Sequence, residues 1–142
     1  MEINIMEVFK NSLMKTGQDY AVTSMSGIKN IAIGPPAEYG GITDTLNPEE
    51  LFVASINSCI MLVFYHLVKR YNINVISYYS EAEGTVEKTK NGLRFTKVTV
   101  NAKVEIGDTN HAGKIEEITQ LAEKYCLVSN SVSCPVVYTV KL

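Results

Sequence analysis

Tryptophan is absent from this chain, and arginine and histidine are nearly so: Arg70 and Arg94, His66 and His111. Two histidines and three cysteines (Cys59, Cys126, Cys134), with no CxxC spacing, make no zinc ligand set, so no metal and no cofactor is expected. Neither sign of charge dominates. A formal net charge of −2 over 142 residues lacks the electrostatic footprint of a nucleic-acid binder. Basic residues are scattered and do not interleave with aromatics, which excludes a stacking platform. Met1-Glu2-Ile3-Asn4 lacks the basic start and apolar core of a secretory signal. An odd cysteine count argues against a disulfide framework, so a reducing compartment, the cytoplasm, is expected. No repeat, low-complexity tract or separating linker interrupts the chain, and 46% hydrophobic residues suffice for one domain, 1–142, with its own core.

One long apolar run is present, Leu51 to Val68, near the lower limit for a membrane-spanning helix. It contains Ser55, Asn57, Ser58 and His66, and the rest of the chain reads as sheet. A helix buried in a protein interior is expected, with no membrane partner. Its start is well marked. Asn47 suits an N-cap, Pro48 the first helical position, and Glu49-Glu50 the positive end of the helix dipole. Apolar residues all round it predict burial on several sides, one of them against another subunit.

Short strands are expected over Val8 to Lys15, Gln18 to Ser24 and Ile28 to Ile33, separated by Gly17 and Ser26-Gly27. A Gly/Pro-rich loop, Gly34 to Leu46, follows and can lie over a pocket, with Tyr39 in it. After the helix, Ser77 to Lys88 and Leu93 to Ile106 read as a hairpin across Asn91-Gly92. Val98, Val100, Ala102, Val104 and Ile106 alternate with polar residues, so one face is core. A second helix spans about His111 to Cys126, with Ile115, Ile118, Ala122 and Cys126 on its inner face. A strand after Pro135 ends the chain. The class is α+β.

Two cysteines thus stand in unlike places, Cys59 inside the apolar helix and Cys126 at the end of an amphipathic one. Either alone reads as buried filler, because free cysteine packs as a small hydrophobe. Together they suit a peroxide-splitting dithiol. His66 shares a helix face with Cys59, but at i+7 it reads as a core or interface histidine. Cys134 reads as strand filler or an alternative resolving thiol.

Asn47-Pro48-Glu49-Glu50-Leu51-Phe52 followed by Ser58-Cys59 resembles the first-cysteine helix of the OsmC/Ohr family, the osmotically inducible and organic hydroperoxide resistance proteins. Tyr125-Cys126-Leu127-Val128-Ser129-Asn130-Ser131 resembles its second motif, with Leu127 in place of a usual proline. The order of elements agrees over nearly the whole chain. The resemblance implies an OsmC-like fold: antiparallel sheets, a buried central cysteine helix, a second helix, and an intertwined homodimer with its sites at the subunit interface. It implies a thiol peroxidase acting on organic hydroperoxides or hydrogen peroxide, regenerated by an external thiol, a lipoyl group or small dithiol. Cys59 matches the peroxidatic cysteine, Cys126 the resolving cysteine, and Glu49 the glutamate that orients a catalytic arginine.

That arginine is missing, since neither Arg70 nor Arg94 lies in the N-terminal strand region. The local match, Gly17-Gln18-Asp19, puts Gln18 there, and Lys15 or Lys29 is a candidate compensating cation. Glu49 and Cys59 are about 15 Å apart along an unbroken helix and about 80° apart around it. Glu49 therefore serves a partner subunit's cysteine, or the helix breaks between them. The readings carried forward are a dithiol peroxidase, a redox or small-molecule-binding member of the same fold without efficient peroxidase activity, and a structural dimer with buried thiols.

Overall fold

The computed structural model describes residues 6–25, 28–42 and 44–142, without the side chains of 28–30. It divides into two compact units, Met1–Leu51 and Phe52–Leu142.

In the N-terminal unit, β1 (Asn11–Met14), β2 (Ala21–Met25) and β3 (Ile28–Ile33) form an antiparallel sheet in the order β1-β2-β3. β1 is shorter than the expected Val8–Lys15, and all four of its residues are exposed. The expected turn at Ser26-Gly27 lies outside the described residues. The loop after β3 is tied back to the sheet: the Gly34 N–H donates to Leu46 O and the Leu46 N–H to Ala32 O, both at 2.9 Å. Within it, Gly41 crosses so close to Pro35 that a Cβ would lie 1.8 Å from the carbonyl oxygen, so only glycine fits.

Helix α1 (Pro48–Arg70) starts as its sequence dictates. Asn47, nearly buried, accepts the Glu50 N–H on Oδ1 at 2.7 Å, and its amide bonds the Glu50 carboxylate in return. By length and composition α1 could cross a membrane. Here Ile56, Ile60, Phe64, Leu67 and Val68 bury one face of it in the core of the C-terminal unit. Burial within the chain stops at that face, and Leu62 stays 63% exposed. His66 is exposed too, so it is not a core histidine.

In the C-terminal unit, β4 (Val75–Thr89) and β5 (Gly92–Ile106) make a long hairpin. Its turn is closed by Gly92 at φ 93°, a conformation open to glycine. Val98, Val100, Ala102 and Val104 are buried, as the alternation requires. β6 (Val136–Lys141) joins the other edge of β5 in parallel, Val100 opposite Tyr138, so this sheet is mixed. A parallel partner needs a crossover, and α2 (Ala112–Tyr125) and α3 (Leu127–Asn130) supply it. Ile115, Ile118, Ala122 and Cys126 are buried together with the α1 residues. Gly84 gives α1 room at the sheet, because a Cβ there would meet Val53 and Phe95, each at 2.7 Å. Phe52 stacks on Phe95 nearby, with ring centroids 4.4 Å apart. The α+β class and the order of elements agree with the sequence reading.

Candidate active site

Cys59 lies midway along α1, one residue before the fully buried Ile60, which leaves its side chain half-buried beside the core. Cys126 is completely buried at the junction of α2 and α3. Extended backbone at Cys126 ends one helix and caps the next, with its sulfur accepting the Ser129 N–H at 3.4 Å. The two free thiols meet there. The Cys126 sulfur and the backbone N–H groups of Val128 and Leu127 lie close enough to act on the Cys59 thiol.

These neighbours act on Cys59 in opposite directions. Burial, the largest effect, pushes its pKa up, because a thiolate loses solvation there. The Val128 N–H pulls it down by stabilising the anion, the Cys126 sulfur raises it, and the Leu127 N–H lowers it. The net shift is upward from the ordinary 9.0, so the resting group is a thiol.

The two amide donors went unnoticed in the sequence because every residue but proline carries one. The signal was Leu127, where the resembled motif has a proline: leucine restores an N–H that proline lacks. Cys134 lies elsewhere in this unit. It is half-buried and lines a cavity of about 560 Å³ with Phe52 and Arg94, whose guanidinium donates to Ser133 Oγ at 3.3 Å.

Glu49 sits in the first turn of α1, and the helix is unbroken from Pro48 to Arg70. The break that would let it turn back toward Cys59 of its own chain does not occur. In the N-terminal unit Glu49 lines a mostly apolar cavity of about 420 Å³ with Lys15, Asp19, Tyr20 and Tyr39. Its Oε2 is shut off from water with no hydrogen-bond partner among the described residues. Gln18 is not among the lining residues. Its carboxamide oxygen accepts the Thr16 hydroxyl in an exposed turn, while its neighbour Asp19 lines the cavity. The Lys29 side chain lies outside the described residues. Among the described residues no cluster of His, Cys, Asp and Glu could hold a metal ion.

The profile of the family described as OsmC-like protein matches residues 41–141. The chain belongs to the OsmC-like family. An uncharacterized protein of Methanocaldococcus jannaschii is 26% identical over 113 residues, 80% of this chain, which spans 58% of that relative's length. An OsmC-like protein of unknown function from Vibrio cholerae superposes with a TM-score of 0.88 at 24% identity, over 95% of this chain and 99% of its own. An organic hydroperoxide resistance protein OsmC from Legionella pneumophila gives a TM-score of 0.73 at 20% identity, covering 98% and 100%. At these identities the solved structures show that this chain has the OsmC-like fold.

Proposed function

We propose that this OsmC-like protein is a thiol-dependent peroxidase in oxidative-stress defence, reducing organic hydroperoxides or hydrogen peroxide through Cys59 and Cys126. The observation that carries this reading is the nearness of the two thiols, beside N–H groups that favour a thiolate on Cys59. The Cys59 thiolate attacks one peroxide oxygen and the O–O bond breaks. The second oxygen leaves as alkoxide or hydroxide, takes a proton and departs as alcohol or water, and Cys59 becomes a sulfenic acid. Cys126 then displaces water from that sulfur to form a disulfide. An external thiol, a lipoyl group or small dithiol, returns both cysteines to thiols by two exchange steps, leaving the reductant oxidised.

In this reading the whole chain, 1–142, acts as one OsmC-like domain in an intertwined cytoplasmic homodimer, with Glu49 serving the cysteine of the partner. The apolar α1 face bearing the exposed Leu62 supports such a partner. The test is thiol titration of the reduced protein before and after one equivalent of cumene hydroperoxide, with peptide mapping. Rapid loss of two thiols and a Cys59–Cys126 linked peptide is the expected result. Three unreacted thiols after long exposure would overturn it.

A second reading, an OsmC-like redox or small-molecule-binding protein without an efficient peroxidase cycle, is favoured by one observation. Cys59 is held upward in pKa, and neither arginine lies in the N-terminal strand region.

A further inference from the structure

The loop leading into β6 borders a cavity in the C-terminal unit that the cysteine chemistry does not use. Arg94, on β5, reaches across to that loop, where its guanidinium donates to Ser133 Oγ at 3.3 Å. The cavity they line, about 560 Å³, has room for a small organic molecule. Phe52, Leu93, Phe95 and Val132 make its apolar walls, with the Phe52 and Phe95 rings stacked. Among the described residues that line it, Arg94 alone carries a formal charge. A guanidinium has five N–H donors, and the Ser133 hydroxyl takes one of them. Arg94 makes no ion pair among the described residues. The acid opposite it in the β4–β5 ladder is Glu87, whose Oε1 accepts the Thr96 hydroxyl at 3.1 Å instead.

We propose that this cavity binds a small organic acid, a carboxylate on an apolar body, with the carboxylate held by Arg94. The guanidinium fork matches a carboxylate through two parallel N–H···O bonds, a geometry a neutral amide cannot return. Arg94 is exposed, so a ligand arriving from water can reach it, and water screens the pair to a modest strength. The apolar walls supply the rest by covering the body of the ligand, with Leu93, 65% exposed, taking part of it out of water. An inorganic anion would meet the guanidinium but leave those walls wet. A cation would meet a charge of its own sign. The inference stands apart from the dithiol chemistry, because Cys59, Cys126 and Glu49 are not among the lining residues. Cys134, half-buried in the wall, is a built-in reporter of occupancy.

The test is calorimetric titration of the reduced full-length protein with benzoate, benzamide and benzamidinium at one ionic strength. These probes share a shape and are negative, neutral and positive. Saturable binding of benzoate is expected, with benzamide about fivefold weaker, the weight of one exposed ion pair, and benzamidinium weaker still. Arg94→Gln, at an exposed position, should remove the preference for benzoate over benzamide. Leu93→Ala, also exposed, should weaken both probes, so the proposal stays testable if Arg94→Gln does not fold. Bound benzoate should slow iodoacetamide alkylation of Cys134, read by peptide mapping, and leave that of Cys59 unchanged. No saturable binding of benzoate to the folded wild type overturns the proposal, and so does equal affinity for benzoate and benzamide. A preference that survives in Arg94→Gln overturns it, as does inorganic phosphate binding as tightly as benzoate. Protection of Cys59 in place of Cys134 also overturns it, since the ligand would then lie in the dithiol site.

Discussion

In the C-terminal unit the half-buried Cys59 thiol lies beside a second sulfur and two backbone N–H groups, whereas in the N-terminal unit a Glu49 oxygen is hidden from water with no donor among the described residues. Burial is common to both, and its consequence differs with the chemistry. A thiol is neutral at rest, so a dry place costs it little, and the amides matter only when the proton leaves. A hidden carboxyl oxygen without a donor is costly from the start. One site is therefore quiet until a proton is removed. The other is unsatisfied as it stands.

The comparison breaks most sharply if Cys59 is not the reacting group. Cys59→Ser should abolish hydroperoxide consumption, and Cys126→Ser should consume one equivalent and then over-oxidise Cys59, read by intact mass. Full activity in Cys59→Ser would reverse the roles assigned to the two thiols. The next largest effect is that of pH. Because burial holds Cys59 above its ordinary 9.0, its rate of alkylation by iodoacetamide should rise about tenfold per pH unit through neutrality and continue rising past 9. The same upward shift fixes a stability trend. The contribution of the Cys59 thiol is complete below its unfolded-state value and is lost as pH rises through the folded-state value, so the melting temperature should fall on the alkaline side. A reactivity plateau below pH 8 contradicts the upward shift.

Two smaller effects sharpen the contrast. Glu49→Met should stabilise the protein by about 1 kcal/mol in urea denaturation, since relief of an unpaired oxygen outweighs a lost helix-dipole interaction. A net loss of stability would show that the oxygen is satisfied in solution. Leu127→Pro removes one of the two N–H donors at the first position of α3, where proline is tolerated. A fall of about threefold in iodoacetamide reactivity at fixed pH is expected, the weight of one modest hydrogen bond. Unchanged reactivity would leave Val128 as the sole amide that matters.

Features written in neighbouring residues were legible in the sequence. Asn47-Pro48-Glu49-Glu50 announced α1 because cap, proline and acids each satisfy a local need of a helix start. The alternation from Val98 to Ile106 announced β5 and its buried face. The parallel direction of β6 was not legible, since it depends on a crossover and a distant register rather than on its own residues. The meeting of Cys59 and Cys126 was expected only through likeness to a family, because no periodicity relates positions so far apart. Gln18 was singled out by a local match. The structure lines the cavity instead with its neighbours Lys15 and Asp19, as side-chain direction in a turn is set by backbone geometry that spacing does not reveal.

The crossover that carries Cys126 also sets when the thiol pair comes into being. A growing chain completes the hairpin early, but Cys126 can be held against Cys59 only after α2 has packed and β6 has found the far edge of β5. Contacts this distant in sequence are late to form. The dithiol should therefore be a property of the finished molecule alone, and a newly made or partly opened chain would offer oxidants an unprotected Cys59 with no sulfur beside it.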